Sequence, residues 1–302
     1  MYNNGNTPSA GVARVYLGPA GIPITLRQRK KNAGTADAVS YVREIGLNAM
    51  EVEFVQGVRM SRESAREVGE AAKEAGVRLS IHAPYFINLC SEEESKVRSS
   101  VERLRDSLDR GNTMGASVVV FHSAYYGKLG HDVCIKKVGD EMRGLIGWME
   151  DNDISVKLGL ETMARESQLG PLEEILDLVR SLSSPLVTAV VDWGHVYARN
   201  GGSIDFARIL DEWSTALPGE VLHSHFTCVK FRNGKWVDEH EPLDAAAPPF
   251  EPLAEELGRR RELTVSIISE TPLIEVDALK MRDILERYGN ELATAEANGR
   301  KR

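Results

Sequence analysis

Ser117-Val118-Val119-Val120-Phe121-His122 and Val156-Lys157-Leu158-Gly159-Leu160-Glu161 share one form, and their last residues stand 39 apart. Each is a short apolar run that stops on a side chain able to bind a metal. The form recurs along the chain, on Val77–His82, Val187–Asp192, Val221–His225 and Leu263–Glu270. Between His82, His122, Glu161, Asp192, His225 and Glu270 the intervals are 40, 39, 31, 33 and 45 residues. Runs of this length, rich in Val, Ile, Leu and Phe, suit buried parallel strands. Two further runs, Val12–Gly18 and Ala49–Phe54, bring the strands to eight. Helical patterns lie between them, among them Ser61–Ala75, Glu94–Met114, Leu172–Leu182 and Val276–Tyr288. Ser61 reads as an N-cap and Gly76 as the residue past a C-terminus.

Eight strands alternating with eight helices predict an α/β chain folded as a single (β/α)8 TIM barrel, with the site at the C-terminal mouth of the strands. The alternative is a doubly wound open sheet, which gathers only the strand ends near its switch point. A barrel turns all eight ends to one mouth. The barrel is expected over residues 11–292, with disordered tails at 1–10 and 293–302, both small and polar in composition. The length, 302 residues, fits one such domain with tails.

No run reaches the roughly 18 apolar residues of a membrane span. Met1–Ala10 has no apolar segment of the signal-peptide kind. The three cysteines, Cys90, Cys134 and Cys228, form no CxxC pair, which points to free thiols in a reducing compartment, the cytoplasm by default. There is no GxxxxGK[ST], GxGxxG or GxSxG, so a nucleotide cofactor or a serine elbow has no support. A net charge of −8, from 37 basic and 45 acidic residues, by itself argues against a nucleic-acid partner.

Taken singly, most strand-end residues have ordinary explanations. His82 after Leu79-Ser80-Ile81 reads as a satisfied core histidine. Asp192-Trp193-Gly194-His195 reads equally as a turn or a ligand pair. Asp238-Glu239-His240 follows the turn-like Arg232-Asn233-Gly234-Lys235 and reads as a solvated loop. Glu270 closes a strand, where a carboxylate is disfavoured unless paired or ligating. Their common position at the same end of each unit is what those explanations fail to cover. Several imidazoles and carboxylates meeting at one point are what a multinuclear metal site requires. His131 is expected at the surface and His223 in packing, one layer below His225. Gly18-Pro19-Ala20-Gly21-Ile22-Pro23 could present amides to a phosphate, but a simple turn accounts for it better.

Gly18-Pro19-Ala20-Gly21-Ile22-Pro23, His82-Ala83-Pro84-Tyr85, Leu160-Glu161-Thr162 and Ser269-Glu270-Thr271-Pro272 together resemble the endonuclease IV family of apurinic/apyrimidinic endonucleases. The likeness is nearest to the archaeal-type branch, within the xylose-isomerase-like barrel superfamily, and spans roughly residues 12 to 290. It implies three zinc ions, with manganese acceptable in some sites. His82 and His122 would hold one ion, and Glu161 would bridge it to a second completed by Asp192, His225 and Glu270. His195, Asp238 and His240 would hold the third. Three such ions would bring the charge of −8 to about −2.

The implied activity is hydrolysis of the DNA backbone 5′ of abasic sites in duplex DNA, as in base excision repair; a monomer is the default expectation for an enzyme that must embrace a duplex. Glu161 and Glu270 are the expected catalytic carboxylates. Metal ions lower the pKa of bound water toward about 7 and neutralise charge on a leaving oxygen, so no separate general base is required. Tyr85 and Phe86 match positions that face the duplex near the lesion, and Arg59 matches an Arg that inserts into DNA.

Some family features are missing. Glu161 is followed by Thr162-Met163-Ala164-Arg165 without the family's Asn, and His225 by Phe226-Thr227-Cys228 where bacterial members carry Asn-Asp. His122 is followed by Ser123-Ala124-Tyr125-Tyr126 without Pro-Gly. These changes spare the ligands and alter the substrate contacts.

Arg27, Arg29, Lys30, Lys31, Arg59, Arg62, Lys230, Arg232 and Lys235 fall in loops expected at the mouth. The acidic runs Glu92-Glu93-Glu94, Glu173-Glu174 and Glu255-Glu256 fall on the expected far wall. That arrangement would draw a polyanion to the metals despite the negative total. Two other readings stand beside the nuclease. A metal-dependent sugar isomerase or epimerase of the superfamily would need only Glu161, Asp192, His225 and Glu270. A lesion-binding protein without turnover would keep the barrel and lose the cleavage.

Overall fold

Successive strand residues face opposite ways, and in this chain the two faces differ in chemistry. Leu79, Ile81, Val119, Phe121, Leu158, Leu160, Ala189 and Val191 belong to one large buried cluster shared with the helices. Val118, Val120 and Val190 form a separate small cluster, lying at the alternate positions that face the barrel axis. The axial positions nearest the C-terminal strand ends are polar or charged, including Glu51, Ser80, His82, Glu161, Asp192, His223 and His225, all buried.

The computed structural model describes residues 14–293. The strands are β1 (Arg14–Pro19), β2 (Ala49–Glu53), β3 (Arg78–His82), β4 (Val118–Phe121), β5 (Lys157–Glu161), β6 (Val187–Asp192) and β7 (Val221–Phe226). They are followed by β8 (Cys228–Arg232), β9 (Lys235–Glu241), β10 (Thr264–Ser269) and β11 (Glu291–Leu292). The helices are α1 (Ile24–Arg29), α2 (Thr35–Glu44), α3 (Arg62–Ala75), α4 (Glu94–Met114) and α5 (His131–Asp151). Then come α6 (Leu172–Leu182), α7 (Trp193–Arg199), α8 (Phe206–Ala216), α9 (Glu251–Arg259) and α10 (Ile274–Arg287). The Ser61 hydroxyl accepts from Ser64 N at 3.1 Å, and Gly76 sits in the left-handed region at φ 66°, so α3 begins and ends as its sequence predicts. Among the described residues, no helix is long and apolar enough to cross a membrane.

The parallel sheet runs β11-β1-β10-β7-β6-β5-β4-β3-β2. What makes it a barrel is the seam between β1 and β2. There Asn48 N donates to Leu17 O (3.1 Å), Gly21 N donates to Glu51 O (2.9 Å), and Ala20 pairs with Glu51. Gly18 is required at this contact, since a Cβ on it would lie 1.6 Å from Ala49 O. The Asn48 side chain supplies bonds that the short ladder lacks. Its Oδ1 accepts from Leu17 N (2.7 Å), and its Nδ2 donates to Val15 O (3.1 Å) and Ala293 O (2.9 Å). The sheet takes both amides here, Gly21 N at the seam and Ala20 N on the other side of β1, donating to Ser269 O of β10 (3.0 Å), so the Gly18–Pro23 segment is a structural turn rather than a phosphate cradle.

Two expectations need adjusting. The segment after His225 is not a loop but the antiparallel hairpin β8–β9, turning at Asn233 (φ 52°) and Gly234 (φ 79°). Positive φ at both central residues is what an Asn-Gly hairpin turn demands. Ala293, expected in the C-terminal tail, is buried, and its N–H donates to Val15 O (2.8 Å). Val12, where the first strand was expected to begin, lies outside the described residues, as do 1–10 and 294–302.

An unpaired buried backbone amide costs about 1–3 kcal/mol, and Asn48 also satisfies two carbonyls at the seam. Asn48→Ala should therefore lower unfolding free energy by about 3 kcal/mol in a urea titration. A loss within about 0.5 kcal/mol, the range of an ordinary surface change, would show that the seam does not depend on this side chain.

Candidate metal centre

Glu161 ends β5 with its carboxylate buried at the barrel axis. Its Oε2 lies 3.3 Å from His82 Nε2 at the end of β3 and 3.1 Å from His122 Nε2 just beyond β4. Its Oε1 lies 2.9 Å from His225 Nδ1 on β7, and the same nitrogen is 3.4 Å from Glu270 Oε1 just beyond β10. Asp192 ends β6 and caps α7, its Oδ1 accepting from His195 N at 2.6 Å. The spacing Asp192-Trp193-Gly194-His195 thus places carboxylate and imidazole on the first turn of one helix. The hairpin adds Asp238, whose Oδ1 is 3.3 Å from His195 Nε2 and 3.4 Å from His240 Nε2. All nine strand-end and hairpin residues singled out in the sequence converge.

The arrangement fits cations. Sets of three donors fall within 4.8 Å of one another at His82, Glu161 and His225; at Glu161, Asp192 and His195; at Asp192, His225 and Glu270; and at His195, Asp238 and His240. Asp192 Oδ2 is buried with no hydrogen-bond partner. Three imidazoles are locked by the backbone: Nδ1 of His82 bonds Ala83 O (2.7 Å), that of His195 bonds Thr162 O (2.9 Å), and that of His240 bonds Glu270 O (2.7 Å). A carbonyl only accepts, so each Nδ1 carries the hydrogen and each Nε2 points into the cluster.

The electrostatics describe a centre of crowded, shared protons. Burial pushes Asp192 up to about 7, Glu161 and Glu270 adding to it. Burial would also raise Glu161, but His225 and His122 outweigh it and hold that carboxyl well below its usual range. Burial works against protonation of His82, yet Glu161 lifts it to about 10; against the same burial, Asp238 and Glu270 lift His240 to about 9. His122 is lowered, chiefly by burial.

Sequence reasoning missed two carboxylates on β2. Glu51 is fully buried beneath His225, and Glu53 pairs in register with His82. Burial pushes Glu53 up to about 8, and its Oε1 is buried without a partner. His223 does lie one layer down, but its Nε2 sits 3.1 Å from Glu51 Oε2, a polar contact rather than plain packing. His131 opens α5 at the surface as expected.

At the mouth, Tyr85 is 48% exposed and Phe86 72% exposed. The Tyr85 ring stacks on His122 with centroids 5.7 Å apart. Arg59 lines a cavity of about 380 Å³ together with Arg27, Gln56 and Glu53, beside the cluster. Thr227 and Cys228, where bacterial endonucleases of this type are expected to carry Asn-Asp, are fully buried; the Cys228 thiol donates to Pro248 O (3.4 Å). Neither faces the opening.

The contrast between a basic mouth and an acidic wall holds for Glu255-Glu256, which lie within α9, and fails for the other two runs. Glu92 and Glu93 lie in the loop that leaves β3, and Glu173 and Glu174 occupy the first turn of α6, on the mouth side. Acidic residues there complement a helix N-terminus. Several mouth cations are paired: Arg29 with Glu44 (3.4 Å), Lys30 with Asp37 (2.8 Å), Lys230 with Glu241 (3.1 Å) and Arg232 with Glu239 (2.5 Å).

Fold and side chains together define a TIM barrel with a many-donor, metal-type centre at its strand ends. The chain belongs to the xylose isomerase-like TIM barrel family, which it matches over residues 39–288. It is 29% identical over 285 residues to an uncharacterized protein of Methanocaldococcus jannaschii, covering 92% of this chain and 98% of that one. It is also 29% identical over 252 residues to a probable endonuclease 4 of Streptomyces coelicolor, covering 78% and 84%. Among solved structures, endonuclease IV from Thermus thermophilus superposes with a TM-score of 0.65 at 23% identity, covering 91% of this chain and 99% of that one. A D-tagatose 3-epimerase-like protein gives 0.66 at 22% identity, covering 89% and 96%. The two superpose equally well, so the likeness fixes the barrel and leaves the reaction to the side chains.

In the metal-free protein His82 and His240 keep a proton through neutral pH, with values near 10 and 9 against an ordinary 6.5. Both values are raised on folding. Their contribution to metal-free stability is therefore complete below about pH 6.5 and is lost as pH rises through about 9 and then about 10. A cation taking either Nε2 must displace that proton. Zinc affinity, measured by chelator competition, should rise about tenfold per pH unit between pH 7 and 9 for each ion that displaces one proton. A flat profile over that range would contradict the protonation pattern.

Proposed function

We propose that the protein is a metal-dependent phosphodiester hydrolase that cuts duplex DNA 5′ of abasic sites, using three zinc ions. The observation that carries this reading is the convergence of His82, His122, Asp238 and His240 on the Glu161 centre. A mononuclear sugar isomerase or epimerase needs only Glu161, Asp192, His225 and Glu270. It has no use for two further histidines at the ends of β3 and β4, or for a hairpin that delivers Asp238 and His240. The probable endonuclease 4 relatives support the same reaction class.

In this reading His82, His122 and Glu161 would hold one ion, Glu161, Asp192, His225 and Glu270 a second, and His195, Asp238 and His240 the third. The ions supply Lewis acidity and charge neutralisation at a phosphodiester. The protein's own part is geometric. The carbonyls of Ala83, Thr162 and Glu270 fix three ring orientations before substrate arrives, so no reorganisation is needed during the reaction. Asp192, held at a helix N-terminus, keeps one oxygen free for the centre.

Substrate contacts fall to other groups than in the bacterial pattern, because Thr227 and Cys228 are buried. Tyr85 and Phe86 give the bases apolar surface beside His122, and Arg59 gives a cation at the adjoining cavity. The thiols, all buried, match the reducing cytoplasm expected of such a protein.

Zinc-loaded protein should nick an oligonucleotide duplex at a single abasic analogue, leaving a 3′ hydroxyl, and ignore the undamaged duplex. Glu161→Gln should lower that rate by about 10³-fold, a loss of several kcal/mol of transition-state stabilisation. Near-full activity in the variant would remove Glu161 from the chemistry. A wild-type protein that leaves the abasic strand intact but epimerises a ketose would establish the sugar enzyme instead, and tight binding without cutting would establish a lesion binder.

A further inference from the structure

Strand β2 gives no side chain to the nine residues assigned to the metals, yet Glu51 lies directly beneath them. Its exposure is 0%, and against that burial the charges of His225 and His223 hold its carboxyl well below the usual range. Its Oε1 is 2.8 Å from His225 Nε2, a charge contact whose angle falls outside hydrogen-bond geometry. Its Oε2 accepts the Ser80 hydroxyl (2.7 Å) and lies 3.1 Å from His223 Nε2. Glu51 and Ser80 are register partners on β2 and β3, so the sheet itself sets that bond. The His225 ring is thereby held between two acidic layers. Its Nε2 faces Glu51 below, while its Nδ1 faces Glu161 (2.9 Å) and Glu270 (3.4 Å) above.

A fully buried carboxylate is expensive, and packing alone would be served better by a neutral residue of the same shape. The geometry around His225 gives this charge a task. A carboxylate behind one ring nitrogen fixes the hydrogen there and makes the opposite nitrogen a stronger donor. We propose that Glu51 is the positioning residue of His225. Its charge beside Nε2 favours the hydrogen on that nitrogen, leaves Nδ1 for the metals, and balances part of their charge from beneath. Ser80 and His223 hold Glu51 in turn. The inference rests on reading His225 as a metal ligand. It assigns β2 a role at the centre that β3, β4, β5, β6, β7 and β10 fill with ligands at or beside their ends.

The pattern differs from that of His82, His195 and His240, each oriented through Nδ1 by a neutral backbone carbonyl. His225 presents the opposite nitrogen and has a charged partner. Its ion should therefore depend on Glu51 in a way the others do not.

The test uses full-length protein loaded with zinc and titrated with a competing chelator at fixed pH, beside the melting temperature of the metal-free form. Glu51→Gln keeps the shape and removes the charge. It should weaken one zinc by about 10- to 100-fold, leave the others within about threefold, and leave the metal-free melting temperature no lower than wild type. Ser80→Ala, which leaves the carboxylate but removes its hydroxyl donor, should weaken the same ion by a smaller factor.

Wild-type chelator resistance in Glu51→Gln would overturn the proposal. So would uniform weakening of every ion with a lower metal-free melting temperature, which marks a folding residue. A fourth zinc bound by wild type and lost in Glu51→Gln would overturn it as well, by making Glu51 itself a ligand. If Glu51→Gln does not fold, Ser80→Ala decides: a single weakened ion supports the role, and an unchanged profile rejects it. None of these readouts uses DNA. Wild-type protein inert toward abasic duplex would sink the nuclease reading and leave this one intact.

Discussion

Five carboxylates, Glu51, Glu161, Asp192, Asp238 and Glu270, meet the rings of His82, His122, His195, His225 and His240 at the C-terminal end of the barrel. Much of the rest of the structure answers to that convergence. Carboxylates that close together, most of them out of water, repel one another and lose hydration. The metal-free chain meets this by keeping His82 and His240 protonated and by letting Asp192 and Glu53 hold protons near neutral pH. Divalent cations meet it better, because each brings the charge the site lacks and replaces a proton that the rings would otherwise keep.

Such a site is only as good as the register of the strands that deliver it. A one-residue slip in any strand would turn its ligand from the axis to the helix layer. The structure guards against this at two places. Asn48 and Gly18 hold β1 against β2 and close the sheet, and the hairpin β8–β9 is seated on α7 by Trp236. Gly202 leaves room for that ring, since a Cβ there would lie 2.0 Å from Trp236 Nε1. The β9 strand also carries an irregularity opposite Val229 and Lys230, where Asp238 and Glu239 have no direct partner. Bulges of this kind re-aim side chains, and here both Asp238 and His240 reach His195's end of the cluster.

Six of the nine centre residues were legible because each stands at, or within one residue of, the end of an apolar strand, and a polar stop after an apolar run is visible without alignment. Asp238 and His240 were visible as residues, but their hairpin was not, although Asn233-Gly234 is a strong hairpin signal. Glu51 and Glu53 were hidden for a different reason. Met50-Glu51-Val52-Glu53-Phe54 alternates as an ordinary strand with one wet face does. Only barrel closure turns that wet face inward. Asn48 was equally hidden, since one of its partners, Ala293, lies 245 residues away. The acidic runs misled because sequence gives a helix but not which end of the barrel its first turn occupies.

The central claim is a count of cations around one carboxylate. Anomalous scattering at the zinc edge, from crystals of protein purified with zinc, measures it directly. Three peaks per chain are expected: one beside His82 and His122, one among Asp192, His225 and Glu270, and one beside His195, Asp238 and His240. A single peak bounded by Glu161, Asp192, His225 and Glu270, with the other residues empty, would contradict the trinuclear centre and return the barrel to the sugar-isomerising branch of its family.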